Sequence, residues 1–182
     1  MRTAEEMYDY CKKNDYGQGV NKKWDIKHFT LIQDSLAPDE EVLMCFVGIH
    51  NYVSASKHDG NYAYAITNKR IIMAQKKMIG ESIQSIAFNN LNDITLSTGL
   101  LMGVIVIDTV KEVFNVGVNK KQARKINEQI HNLLIELQNR KISPTQAQVS
   151  EADELLKFKK LLDAGAISED EYNMKKKQIL GI

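Results

Sequence analysis

Between Val42 and Val118 the chain repeats short, apolar, extended segments so closely that no crossover helix fits between any two of them. The segments read as strands at Val42–Tyr52, Tyr62–Thr67, Arg70–Gln75, Glu81–Phe88, Asp93–Ser97, Val104–Asp108 and Val113–Val118. They are rich in Ile, Val, Phe and Tyr, and the breaks carry Asp59-Gly60, Asn68-Lys69, Asn90 and Lys111-Glu112. Parallel neighbours need connections of about a dozen residues or more, so the predicted pairing is antiparallel. Asn119 then caps a long amphipathic helix, with Ala123, Ile126, Ile130, Leu133, Leu134 and Leu137 on one stripe. Seven strands followed by one helix predict an α+β fold, a bent antiparallel sheet with one open end plugged by that helix.

The flanks are helical. Thr3-Ala-Glu-Glu6 has the spacing of a capping box, and Met7, Tyr10 and Cys11 share the face that follows. Asn14 to Gly19 breaks this helix. A second covers Trp24 to Leu36, with Phe29, Ile32 and Leu36 on its apolar stripe, and Pro38-Asp39-Glu40-Glu41 turns into the first strand. Asn139 to Ser150, with Pro144 and small polar residues, reads as a flexible linker. The remainder reads as a helical hairpin. Leu155, Phe158 and Leu162 form one stripe, Gly165 supplies a left-handed cap, and Ser168-Glu-Asp-Glu171 is a second capping box, flanked by Ile167 and Tyr172 as a hydrophobic staple. The predicted organisation is a helical segment over 1–37, a sheet domain over 38–138, a linker over 139–150 and a hairpin over 151–182. A hairpin this short buries too little surface to stand alone, so it is expected to dock.

Composition narrows the functional classes. The 182 residues are 43% hydrophobic and 26% charged, enough for a core, and the net charge of +1 gives no global basic excess for nucleic acid. Cys11 and Cys45 make neither a metal cluster nor a disulfide framework, and predict reduced, inert thiols in a cytosolic compartment. The start is polar and then helical, with no signal-peptide pattern. The longest apolar run, Gly99 to Ile107, is too short to span a membrane and reads as a buried strand with a turn. His28, His50, His58 and His131 lack metal-ligand spacing. Asp93 and Asp108 sit at strand ends where acids are common, and Gly99-x-x-x-Gly103 lacks the Lys-Ser/Thr of a phosphate loop. The expectation is a protein without catalytic activity, metal or cofactor.

Three basic clusters remain as candidate partner-binding residues. Lys69, Arg70, Lys76 and Lys77 bracket one hairpin. Lys120, Lys121, Arg124 and Lys125 crowd the start of the long helix, where cations oppose the helix dipole and helix-start N–H groups can hold an anion. Trp24 stands among Lys22, Lys23, Lys27 and His28, an arrangement that can stack on a base or guanidinium. Against each stands the plainer reading, solvated charge for the lysines and a packing anchor for Trp24. Phe158 is the candidate contact on the hairpin.

Tyr62-Ala-Tyr-Ala-Ile-Thr-Asn-Lys-Arg-Ile-Ile-Met73 resembles the central hairpin of bacterial pleckstrin-homology-like domains, and with Ile94, the Gly99 to Gly103 turn and the terminal helix the likeness covers roughly Glu40 to Leu137. Glu154 to Gly181 resembles the short C-terminal domain called SHOCT: Asp163, Gly165, Ile167, Ser168, Glu171 and Tyr172 all match, and Ile179-Leu180 is a mild variant of the family's ending. Both resemblances imply protein or ligand binding and assembly, not catalysis. In length and layout the chain also resembles phage or prophage type II-A anti-CRISPR proteins. That likeness implies a stoichiometric inhibitor acting in the bacterial cytoplasm on Cas9 ribonucleoprotein, with contact to a nucleic-acid backbone through the basic patches. The other reading is a scaffold that self-assembles into a homo-oligomer or lies on an anionic membrane surface.

Overall fold

The computed structural model describes residues 1–17, 19–142 and 151–180. Two compact units divide at residue 135, and each is described by itself.

The first unit opens with α1 (Ala4–Asn14) and α2 (Lys22–Ser35). Seven strands follow: β1 (Val42–Ile49), β2 (Asn61–Thr67), β3 (Arg70–Lys76), β4 (Glu81–Ala87), β5 (Leu91–Thr98), β6 (Met102–Thr109) and β7 (Val113–Asn119). They form one antiparallel sheet in the order β4-β3-β2-β1-β7-β6-β5. Each predicted strand is present, and the α+β class holds. The strand predicted to reach Tyr52 ends at Ile49, because His50 turns and Asn51 adopts a left-handed conformation with φ 50°. The second helix starts two residues earlier than predicted, because the Asn21 side chain caps it by accepting from the Trp24 N–H at 3.2 Å.

The burial pattern explains the sequence pattern. β2 and β3 are buried almost throughout, because α2 packs on both strands while the rest of the core covers their other face. β6 alternates strictly, with Gly103, Ile105, Ile107 and Thr109 buried, as a strand covered on one face must. The edge strands β4 and β5 are mostly exposed, and each sends one buried isoleucine inward, Ile86 and Ile94. The apolar run from Gly99 is therefore not buried throughout: Leu100 and Leu101 form the turn before β6 and are exposed.

β7 passes directly into α3 (Lys120–Ile142), and the Asn119 side chain accepts from the Lys121 N–H at 3.0 Å, the cap predicted. Ala123, Ile126, Ile130, Leu133 and Leu137 are buried. The helix approaches the sheet at Gly103, where an added Cβ would lie 2.3 Å from the Ala123 Cβ, so only glycine admits this seat. α1 carries its predicted capping box, with Thr3 and Glu6 each accepting from the other's backbone N–H.

A buried latch joins α2, the turn after it and β3. Glu40 is 1% exposed and accepts from Arg70 through both carboxylate oxygens, at 2.9 and 3.0 Å. It also accepts from the Thr67 hydroxyl at 2.8 Å and the Ala37 N–H at 3.1 Å. Burial pushes the Glu40 carboxyl up, but Arg70, Ala37 and Thr67 together outweigh it and hold it at about 2.

The second unit contains α4 (Glu151–Asp163) and α5 (Glu169–Leu180). Gly165 has φ +69°, and its N–H and that of Ala166 close the end of α4 on Leu162 and Leu161. Ser168 and Glu171 form the predicted capping box. Leu155, Phe158, Leu162, Ile167, Tyr172 and Ile179 are half-buried along the hairpin, while Leu156, Leu161 and Met174 are exposed. Of the predicted linker, 139–142 continue α3 and 143–150 lie outside the described residues.

Candidate functional site

The most unusual surface of the first unit lies at two hairpin turns. At the β3–β4 turn the Lys77 N–H donates to the Gly80 carbonyl at 3.1 Å, and Gly80 has φ +80°. Between them Met78 and Ile79 are each 93% exposed. At the β5–β6 turn the Gly99 N–H donates to the Met102 carbonyl at 2.8 Å, and Leu100 and Leu101 are 89% and 76% exposed. Two-residue turns favour Gly, Asn, Asp or Ser. Here each carries a pair of large apolar side chains.

The β1–β2 loop lies against the second of these turns. Its base is held to the end of β3, where the Gln75 amide donates to the Asp59 and Asn61 carbonyls at 2.9 and 3.1 Å. Its Tyr52, Ala55 and His58 line a groove of about 590 Å³ with Ile49, Leu100, Leu101 and Val104. On the far side of the β5–β6 turn the Lys120 N–H donates to the Leu101 carbonyl at 3.1 Å, which brings the start of α3 against the tip. β3 and β5 run antiparallel to each other across the sheet order, so the Met78-Ile79 and Leu100-Leu101 tips lie at opposite ends of the sheet; Val53 of the loop is also exposed. Lys76 and Lys77 flank one tip and the α3 cations flank the other.

The predicted clusters fare differently. Lys120, Lys121, Arg124 and Lys125 do come together on the first turns of α3; all but the half-buried Lys120 are exposed. Asp15, in a left-handed conformation at the end of α1, answers them: it accepts from Gln122 at 2.7 Å and lies 3.5 Å from the Lys125 ammonium. Lys69 and Arg70 are not brought together with Lys76 and Lys77. The two pairs sit at opposite ends of β3, roughly 20 Å apart at strand spacing. Lys69 pairs with Asp39, Arg70 is held by Glu40, and Lys76 pairs with Glu81 at 2.8 Å, while Lys77 is exposed. Trp24 is half-buried, with the Lys27 ammonium 4.6 Å from its ring centre. Phe158 lies in the other unit, half-buried on the hairpin, with the Lys175 ammonium 5.6 Å from its ring centre.

The histidines have structural partners. His28 is buried and its Nδ1 accepts from the Lys76 N–H at 2.9 Å; His50 Nδ1 lies 2.7 Å from the Tyr64 hydroxyl. Asp93 and Asp108 face each other across β5 and β6, but Asp93 accepts from its neighbour Ile94 and Asp108 from Asn92. Among the described residues no group of three or more His, Cys, Asp or Glu could hold a metal ion, and no helix is long and apolar enough to cross a membrane.

The sequence pattern singles out cations and aromatics, and not Met78, Ile79, Leu100 and Leu101. The available signal was turn chemistry: Lys77-Met-Ile-Gly80 and Gly99-Leu-Leu-Met102 place aliphatic pairs where small polar residues are the rule.

A family model described as a bacterial PH domain matches residues 36–132, and one described as a short C-terminal domain matches residues 153–180. No curated protein matches the chain significantly, so the likeness to Cas9 inhibitors has no relative behind it. Together the two domains point to a protein-interaction or membrane-associated scaffold.

Proposed function

The chain belongs to the bacterial PH domain family, with a short C-terminal domain appended, and on that premise we propose that it is a non-catalytic docking protein recruited to anionic lipid surfaces through the Leu100-Leu101 tip and the cations at the start of α3. The observation that carries this reading is the apolar tip Leu100-Leu101 beside the α3 cations. Burying a large aliphatic side chain stabilises by about 1.5–3 kcal/mol, and two such groups are left in water at this turn. Their neighbours are Lys120, Lys121 and Arg124 at the start of α3. A cation near an anionic bilayer contributes about 1 kcal/mol, so insertion and charge act together. The half-buried hairpin would then be free to recruit a partner or a second copy.

The test is sedimentation of the full chain with vesicles. We expect binding to phosphatidylglycerol-containing vesicles, weaker binding to pure phosphatidylcholine, and loss of binding as salt rises. The variant Leu100→Asp/Leu101→Asp should weaken binding at least about tenfold with unchanged circular dichroism, while Met78→Asp/Ile79→Asp, at the other end of the sheet, should leave it unchanged. Lys121→Glu/Arg124→Glu should weaken it and flatten the salt dependence. If the wild-type chain stays in the supernatant with anionic vesicles at low salt, the lipid reading fails. The Cas9 reading has its own arm: an inhibitor would suppress DNA cleavage by the guide-loaded nuclease at near-equimolar ratio, whereas the lipid reading expects full cleavage.

A further inference from the structure

The two cysteines are far apart in sequence, and composition alone predicts inert thiols. The fold brings them together. Cys11 on the inner face of α1 and Cys45 in the middle of β1 have their sulfurs 3.6 Å apart, although 34 residues separate them. Both are buried, at 3% and 0% exposure, and no other cysteine exists in the chain. A disulfide bond is about 2.05 Å long, so modest side-chain rotation closes the gap without moving either element far.

We propose that Cys11 and Cys45 are an oxidative modification site, at which peroxide forms an intramolecular disulfide that locks α1 onto β1. The chemistry balances with hydrogen peroxide as the only oxidant. One thiol attacks peroxide, giving a sulfenic acid and one water. The second sulfur then attacks the sulfenic sulfur; the S–S bond forms, the S–O bond breaks, and the departing hydroxide takes the second thiol's proton as another water. Cys11 is the first to react, because it keeps slight exposure while Cys45 has none. Cys45 resolves: its thiol donates to the Met7 carbonyl at 3.3 Å and has no exposure. Burial first, and the adjacent Cys11 thiol second, push the Cys45 thiol well upward, so the pair is quiet until α1 lifts. α1 packs on β1 and α2 from outside the strand ladder, so it can lift without unpairing any strand of the sheet. The cross-link encloses the whole of α2 and fixes Asp15, at the end of α1, beside Gln122 and Lys125.

The test needs no lipid and no partner, so it stands apart from the docking reading. The full-length protein is treated with hydrogen peroxide, unfolded, alkylated and weighed. We expect a monomer that has lost the mass of two hydrogens, takes up no alkylating agent, and melts higher by on the order of 10 °C. A reductant should reverse all three changes. Cys11→Ser and Cys45→Ala should each abolish the rise in melting temperature. Two thiols still alkylated after prolonged treatment, cross-links between chains, or a melting temperature that falls would overturn the proposal. If either variant fails to fold, the wild-type mass and melting shift decide alone.

Discussion

Replacing Arg70 by methionine is expected to lower the unfolding free energy by about 3 kcal/mol, the low end of the range for breaking a buried ion pair, since the Arg70 side chain keeps 30% exposure. The loss comes from what is left behind. Glu40 would remain buried with only Thr67 and Ala37 to answer its charge. The Ser35 carbonyl would also lose the Arg70 donor at 2.8 Å, which ties the end of α2 to β3. The double variant Glu40→Met/Arg70→Met should recover much of the loss, because an apolar pair leaves no uncompensated charge. Urea midpoints with unchanged slope are the measurement. The pH dependence gives a second sign. The Glu40 carboxyl lies near 2 when folded, against 4.5 ordinarily, so its contribution is fully present above about 4.5 and is lost as pH falls through 2. The gap between wild type and Arg70→Met should therefore narrow on acidification. A single-variant loss below roughly 1 kcal/mol would mean that Glu40 finds other partners.

This latch also marks the boundary of what sequence could tell. Local signals were legible because their physics is local. The Thr3–Glu6 and Ser168–Glu171 boxes, the Asn119 cap and the left-handed Gly165 all appear where the residue pattern placed them. The apolar run Met102 to Ile107 was readable as a strand but not as one covered on a single face, because the half-buried Val104 and Val106 are as apolar as the buried Ile105 and Ile107. The unbroken apolar runs of β2 and β3 were readable as strands, but a run carries no statement of what covers its second face; here that is α2. Long-range pairs were silent. Nothing in the sequence ties Arg70 to Glu40 across 30 residues or Cys11 to Cys45 across 34. The cation list was sound as a list of charges and blind to their partners: Lys69 and Lys76 proved to be paired with acids, while the α3 start did gather its four cations. The end of β1 was missed because Asn51 enters the left-handed region, which asparagine tolerates and no periodicity announces.

Between pH 6.5 and pH 4 the first unit should lose about 3 kcal/mol of stability through one side chain, His28. The ring is 4% exposed, and its Nδ1 accepts the Lys76 N–H at the end of β3, so the folded protein requires the neutral form. Burial pushes its pKa from 6.5 down to about 4. The sign follows from proton uptake. Below 6.5 the unfolded chain protonates this histidine and the folded chain does not, so acid pulls the equilibrium toward unfolding until pH 4, where the folded form protonates too. The contribution is fully present above about 6.5. His50 acts in the same direction: burial lowers it, and Asp59 opposes that only in part. The diagnostic variant is His28→Asn, whose side-chain oxygen can take the place of Nδ1 as acceptor for Lys76 without titrating. It should be less stable than wild type at pH 7.5, for lost packing, yet much less sensitive to pH between 6.5 and 4. Urea midpoints at pH 7.5 and pH 4.5 for both proteins decide the matter. If the two proteins fall in parallel, the acid response belongs to His50 or to the carboxylates, and the Lys76 bond does not depend on the charge of His28.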